Sequence, residues 1–135
     1  MKIYLAGPMA NVSREEMHGW REILKQMLPY SYEFRDPTRR LYTDGKMDFS
    51  TAWSIVANDK VDINYCDITL ANMLDLERQI IMTGTTQEII YAFERGKHVI
   101  SIVSPKVSLS PWIWAHSHQI VNTLDEAAAA VKREE

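Results

Sequence analysis

The sequence of 135 residues lacks the features that define several classes of protein. It holds one cysteine, Cys66, so no disulfide can form within the chain. It contains neither a charged-then-apolar leader nor a run of about 18 apolar residues, the length that crosses a bilayer. These absences predict a cytoplasmic protein with no membrane partner.

Clustered positive charge and the familiar cofactor motifs are also missing. The formal net charge is -3, whereas binding to a nucleic acid polymer draws on groups of Lys and Arg. The four histidines are scattered without an HExxH or CxxC pattern, so we expect no metal site. The absence of GxGxxG, P-loop and GxSxG patterns argues against dinucleotide oxidoreductases, P-loop enzymes and triad hydrolases, and no cofactor is expected.

What the sequence does contain is enough apolar material for one core. Hydrophobic residues make up 46% of the chain and charged residues 24%, which is typical of a globular protein. The length suits one domain over residues 1–135 and is too short for two of ordinary size.

Short apolar runs alternate with amphipathic patterns along the whole chain. The predicted strands are residues 2–5, 30–34, 67–72, 98–103 and 119–121. The predicted helices are 13–28, which opens on a capping box, then 50–64, 85–95 and 123–132. The segments 36–49, 73–83 and 104–117 are predicted to be connections.

This alternation predicts an α/β protein, because parallel strands need helical crossovers between them. We expect a flavodoxin-like, doubly wound sheet of five mainly parallel strands with helices on both faces. In such sheets ligands bind beyond the carboxyl ends of the strands. The informative loops are therefore those after Leu5, Phe34, Asn72 and Val103.

Glu88 is the first candidate for chemistry at that edge. It follows Gly84 by one helical turn, and we expect it in the first turn of its helix, where the helix dipole favours an ionised carboxylate. Such an anion suits attack on, or stabilisation of, an oxocarbenium-like carbon. The alternative is a helix-favouring glutamate with no further role.

Three aspartates offer a second carboxylate. Asp59 and Asp62 lie three residues apart and so share a helix face, and Asp67 stands at the entrance of a strand. Each is a candidate general acid. Equally, Asp67 is explained by a strand-entry turn and Asp62 by a solvated helix charge, so the residues alone do not choose among the three.

Polar and aromatic side chains supply the remaining candidates. Tyr4 lies in a strand that ought to be buried, where its hydroxyl needs a partner such as a carboxylate, although core packing also explains it. Arg35, Arg39 and Arg40 can hold a phosphate or can belong to a solvated loop. Trp112, with Trp114 two residues on, covers a base, fills a subunit interface or closes the core.

Three stretches carry a resemblance to a known family. KIYLAGP (2–8), NDKVDINYCDITLANM (58–73) and GTTQEIIYAFERGKHVI (84–100), in this order and at these distances, resemble the nucleoside 2-deoxyribosyltransferases. The resemblance extends over most of the chain. It implies a flavodoxin-like fold and cleavage of the N-glycosidic bond of a nucleoside or its 5'-monophosphate, with retention through a glycosyl-enzyme ester.

The resemblance also assigns roles to particular residues. It implies that Glu88 is the nucleophile and that Tyr4 is oriented toward it. The second carboxylate falls on Asp59, eight residues before Asp67, where it would hold the ribose hydroxyls or pass a proton toward the base. The expected substrate-binding residues are Gly7, Pro8, Met9, Asp67, Met82, Gly84, Thr85, Arg39 and Trp112.

Two departures from the family pattern concern the substrate. Met82 stands where the transferases have a polar or acidic base contact and where the related monophosphate hydrolases have a serine. The turn of residues 7–11 lacks the arginine that those hydrolases carry. The base, the 2' position, the 5' group and the choice between transfer and hydrolysis therefore stay open.

Two other functions remain as alternatives. GTTQE (84–88) has the Gly-Thr-x-x-Glu spacing of phosphoribohydrolases of the cytokinin-activating type. A non-catalytic module that senses nucleotides is the other. On the first interpretation the partner is a small nucleoside or nucleotide, and the protein is a homodimer or higher homo-oligomer in which the loop 108–116 reaches a neighbouring subunit.

Overall fold

The sheet has five strands, and every neighbouring pair is parallel. The structure is a computed structural model that describes residues 1–40 and 47–135. The strands are β1 (Lys2–Ala6), β2 (Glu33–Arg35), β3 (Ile68–Asn72), β4 (His98–Ile102) and β5 (Gln119–Val121). Their order is β2-β1-β3-β4-β5. This is the flavodoxin-like arrangement, which confirms the predicted fold class.

Five helices accompany the strands within the described ranges. They are α1 (Arg14–Met27), α2 (Phe49–Tyr65), α3 (Thr83–Glu94), α4 (Pro111–Ala115) and α5 (Leu124–Arg133), with 3-10 turns at Pro37–Arg39 and Leu74–Arg78. The predicted capping box of α1 is present: the Ser13 hydroxyl accepts from the Glu16 amide, and the Glu16 carboxylate accepts from the Ser13 amide. Gly96 ends the segment after α3 with φ at 74°.

The two faces of the sheet bury separate apolar layers, because successive side chains of a strand point to opposite sides. Ile3 and Leu5 of β1 pack with Leu24 of α1 and with the alanines of α5. Tyr4 and Ala6 point the other way, and they share a cluster with residues of α2 and α3. Tyr4 therefore reaches the side on which the acidic candidates lie.

Several boundaries differ from the prediction. β2 is Glu33–Arg35 and not 30–34, because Tyr30 is fully exposed and the chain is still turning at Pro29, whose carbonyl accepts from Tyr32. The predicted connections 73–83 and 104–117 contain the second 3-10 turn and α4. The predicted polar loop 36–49 lies partly outside the described residues.

In residues 1–40 and 47–135, none of the helices combines the length and the apolar character that a membrane span requires. The same residues contain no group of three or more His, Cys, Asp or Glu side chains placed to hold a metal ion.

Candidate active site

A cavity of about 360 Å³ opens beyond the carboxyl ends of β1 and β3. The turn after β1, the first 3-10 turn, α2 and the start of α3 all contribute to it. Its lining residues are Gly7, Pro8, Met9, Ala10, Pro37, Met47, Ile55, Asp59, Ile81, Met82, Gly84, Thr85 and Glu88. The structure thus brings together eight of the predicted site residues, from three separate segments.

Gly7 lets the turn after β1 lie directly against α1. A Cβ atom at this position would stand 2.6 Å from Cζ2 of Trp20, closer than real Cβ contacts come. The Trp20 ring is itself buried in the core. A side chain on residue 7 would therefore push the turn outward and change the wall of the cavity.

Glu88 is the sixth residue of α3, and the expectation that it lies in the first turn is wrong. Its Oε2 atom is buried and has no hydrogen-bond partner in residues 1–40 and 47–135. Burial, together with the negative charge of Asp59, raises the pKa of Glu88 to about 8 against the opposing effects of the Tyr4 hydroxyl and the charge of Arg21. The expectation of a carboxylate that stays ionised through the helix dipole is thus also wrong, because the dipole acts on the first turn and desolvation dominates here.

Tyr4 is buried in β1, and its hydroxyl likewise lacks a hydrogen-bond partner of ordinary geometry among the described residues. Burial raises the pKa of Tyr4 far above its usual value, and the charges of Glu88 and Asp59 add to this effect. The phenol is therefore neutral at any ordinary pH. It is a donor placed between two carboxyl groups.

Asp59 projects from α2 into the cavity, with its side chain 19% exposed. Burial raises the pKa of Asp59 to about 6, while Arg40, whose Nη1 lies 3.8 Å from Oδ1, opposes the shift. The nearby charge of Asp62 raises the pKa further. Two carboxyl groups of one cavity thus have their pKa values in the range where proton transfer is useful near neutrality.

Asp62 is not the solvated charge that the sequence suggested. Its side chain is 2% exposed, and both of its oxygens accept from Nη2 of Arg39 at 2.8 Å. Nη2 of Arg40 lies 2.7 Å from Oδ2 of the same carboxylate. A carboxylate this deeply buried needs such partners, so Asp62 anchors the segment after β2 to α2.

Three predicted substrate contacts lie away from the cavity. Asp67 precedes β3 at the amino end of the sheet, where its Oδ2 accepts from the Lys2 amide at 2.9 Å. Arg39 is held by Asp62 and does not line the cavity. Trp112 is exposed on α4, where its ring stacks on His116. The roles of Asp67, Arg39 and Trp112 as substrate contacts therefore stay predictions, since none of the three lines the cavity formed by the described residues.

Sequence reasoning missed the apolar wall of the cavity and one buried cation. Ala10, Pro37, Met47, Ile55 and Ile81 line the cavity without a motif to mark them. Arg21 is fully buried behind the turn. Its signal was its position on α1 between Trp20 and Leu24, on the face that the helix buries.

Comparison with known proteins gives the fold independently. A 2-deoxyribosyltransferase from Bacillus psychrosaccharolyticus is 21% identical, and the match covers 95% of this chain and 90% of that one with a TM-score of 0.74. The chain has the 2-deoxyribosyltransferase fold. A 2-deoxyribosyltransferase from Leishmania mexicana is 19% identical, with 99% and 97% of the two chains covered and a TM-score of 0.67.

The same deoxyribosyltransferase fold is found in a glycosidase. A CMP N-glycosidase from Clostridium botulinum is 19% identical, with 98% of this chain and 99% of that one covered and a TM-score of 0.58. No family model matches the chain, and no curated protein matches it. The fold is thus established by shape, while the chemistry has to be argued from the site.

Proposed function

We propose that this protein cleaves the N-glycosidic bond of a nucleoside or nucleoside 5'-monophosphate and passes the sugar to a second base or to water. The observation that carries the proposal is Oε2 of Glu88, a buried carboxyl oxygen in the cavity wall that has no hydrogen-bond partner among the described residues. Such an atom is costly unless a ligand satisfies it. The cavity beside Glu88 has a volume suited to a small molecule.

In the first step the Glu88 carboxylate attacks the anomeric carbon of the sugar. A bond forms between a Glu88 oxygen and that carbon, and the bond from the carbon to the base nitrogen breaks with its electron pair going to the base. The Tyr4 hydroxyl restrains the carboxylate by donating to it. The product is a glycosyl ester of Glu88 on the opposite face of the sugar.

Asp59 completes the proton balance of this step. In its protonated form it donates to the departing base, and in its ionised form it can accept a proton from the water or base that attacks the ester. The second attack again occurs from the opposite face and restores the original configuration. A pKa of about 6 suits both directions of transfer near neutral pH.

The apolar lining supports a planar base as the leaving group. The wall presents aliphatic and thioether surfaces, on which a base can stack with little loss of hydration of polar groups. These surfaces belong to Met9, Met47, Ile55, Ile81 and Met82. Transfer occurs when a second base occupies this surface before water reaches the ester. We leave the choice between the two acceptors to experiment.

We further propose that the protein acts as a homodimer or a larger homo-oligomer. Phe49, Trp53 and Val56 form an exposed stripe on α2, with exposed fractions of 86%, 68% and 51%. Their spacing places them on one side of the helix. Trp112 and its loop, which contact nothing in their own cavity, remain our candidates for a contribution to a neighbouring subunit.

A product screen tests the proposed function. The protein is incubated with a pool of ribo- and deoxynucleosides and their 5'-monophosphates, and free or exchanged bases are measured by mass spectrometry. We expect product with the wild type and a loss of several powers of ten with Glu88→Gln. If no pool member yields product while one of them binds, the proposal is wrong and a sensing role is favoured.

A further inference from the structure

Arg21 is a buried charge that the mechanism above does not use. The residue lies on α1 and is completely inaccessible to solvent. Its guanidinium stacks over the Trp20 ring, 4.5 Å from the ring centroid. An arginine is seldom fully buried, and the free-energy cost of burying its charge is offset where carboxylates and carbonyl oxygens surround it.

The hydrogen bonds of Arg21 go to the chain that forms one wall of the cavity. Nη2 donates to the carbonyl oxygens of Leu5 and Gly7, both at 3.3 Å, and Nε donates to Leu5 at 3.4 Å. Nη1 donates to the carbonyl of Met17 on α1. Arg21 thus joins α1 to the turn that directly follows Tyr4.

The guanidinium of Arg21 lies between the carboxylate of Asp36 on one side and the turn after β1 on the other. Oδ1 of Asp36 lies 3.5 Å from Nε, and the other oxygen of Asp36 lies 2.9 Å from Lys25. On the cavity side, Nη2 lies 3.2 Å from the position that a Cβ on Gly7 would occupy. Glycine at this position leaves no side chain between the guanidinium and the cavity wall.

We propose that Arg21 is a positioning residue of this site, whose hydrogen bonds to the carbonyl oxygens of Leu5 and Gly7 fix the turn after β1 that forms one wall of the cavity beside Glu88. The inference rests on the proposed function for its catalytic meaning. The titratable groups that act on Glu88 are Tyr4 of β1, Asp59 of α2 and Arg21 of α1. Arg21 is the one cation among these three, and it opposes the effect of burial.

A titration of Glu88 in Arg21 variants tests this directly. The side-chain carboxyl carbons of glutamate are labelled with 13C, and the Glu88 resonance is assigned by its loss in Glu88→Gln. In Arg21→Gln, which keeps an amide donor but no charge, we expect the Glu88 titration to move to higher pH by about one unit. In Arg21→Lys, which keeps the charge, we expect it to return toward the wild-type position.

Activity measured on the same variants distinguishes the effect of the hydrogen bonds that hold the turn from the effect of the positive charge of Arg21. We expect kcat/KM to fall by roughly 10-fold or more in both variants, because a lysine cannot reproduce the planar set of contacts that holds the turn. Lys25→Gln is the matched control, since Lys25 lies on the same helix, binds the same Asp36 and is 27% exposed. The kcat/KM of Lys25→Gln should stay within about twofold of the wild-type value. The Glu88 titration in this variant should occur at the wild-type pH.

Folding is checked first by circular dichroism and thermal unfolding. If Arg21→Gln does not fold, both variants are remade with Asp36→Asn, which removes the carboxylate that would be left unpaired. A folded Arg21→Gln, in either background, with an unmoved Glu88 titration and unchanged kcat/KM would overturn the proposal. If the wild type cleaves no substrate, the proposed function fails, and the titration alone then decides whether Arg21 acts on Glu88.

Discussion

Burial in the fold and the proposed role as nucleophile favour opposite protonation states of Glu88. Burial favours its neutral form and raises its pKa to about 8, whereas a nucleophile has to be ionised. Asp59 has a pKa of about 6, so the pair holds one proton between roughly pH 6 and 8. The reactive arrangement has this proton on Asp59 and is the less populated of the two.

This arrangement predicts a bell-shaped pH profile for kcat/KM, with limbs near pH 6 and pH 8. Below the first limb both carboxyls are protonated and Glu88 cannot attack. Above the second limb both are ionised and no proton is available for the base. Initial rates from pH 5 to 10 measure the profile.

The Asp59→Asn variant distinguishes the titration of Asp59 from that of Glu88 in the pH profile. It should be slower by roughly 10²-fold or more, and its rate should rise through the titration of Glu88 and then stay level, because no acid is left to lose its proton. A bell-shaped profile that persists in Asp59→Asn would show that another group is the acid.

Glu88→Gln should stabilise the folded protein at alkaline pH. The folded-state pKa is above that of the unfolded chain, so ionisation of Glu88 costs stability as pH rises from about 4.5 to 8. At pH 9 the gain is on the order of 4 kcal/mol, and at pH 4 it should vanish. Urea unfolding at the two pH values measures it, with Glu94→Gln on the exposed side of α3 as the control. If Glu88→Gln changed the free energy of unfolding equally at both pH values, the pKa of Glu88 would not be raised by burial.

At the scale of elements, the packing of α1 against the turn after β1 shapes the cavity. Gly7 and Gly19 provide a matched comparison. Gly7→Ala places a methyl group against the Trp20 ring, whereas a Cβ at Gly19 within α1 meets nothing within 4 Å. We expect Gly7→Ala to destabilise the protein by about 1–3 kcal/mol, and Gly19→Ala to stabilise it by about 0.5–1 kcal/mol.

Thermal unfolding of the two variants checks this expectation. Gly7→Ala should also lower kcat/KM, because the turn lines the cavity. A Gly7→Ala protein as stable and active as the wild type would mean that α1 does not restrain the turn.

The elements differ in how far their sequence determines them. The order of strands and helices follows from hydrophobic periodicity, and the start of α1 follows from the Ser13–Glu16 capping box, which the structure confirms. The start of α3 could not be found in this way, because its cap, Met82, makes no side-chain hydrogen bond. The error of two residues moved Glu88 from the first to the second turn, and the sign of its pKa shift differs from the expectation because burial dominates there.

At the scale of the whole molecule, contacts between residues distant in sequence determine features of the site that the sequence motifs do not predict. Glu88 was a candidate from the residues alone, Asp59 was chosen among three aspartates by resemblance, and the structure places both in one cavity. The pairing of Asp62 with Arg39 was not predictable, since the two are 23 residues apart and neither belongs to a local pattern. The same holds for Arg21 and Asp36, which meet only after β1 and β2 pair.

The assembly of subunits is the prediction that belongs to this scale. We expect light scattering to give a mass of at least twice the 15.6 kDa of the chain. Trp53→Glu, on the exposed stripe of α2, should lower the mass, because a charge is costly in an apolar interface. A wild-type monomer with full activity would contradict the oligomer.

In the proposed mechanism Glu88 carries the sugar between the two half-reactions, and acid-quench mass spectrometry tests this step most directly. The wild type is mixed with the substrate found in the product screen, quenched within milliseconds to seconds and digested. We expect an added mass equal to the sugar residue on the peptide that contains Glu88, and no such mass in Glu88→Gln. Turnover without an adduct at any quench time, together with an active Glu88→Gln, would contradict it.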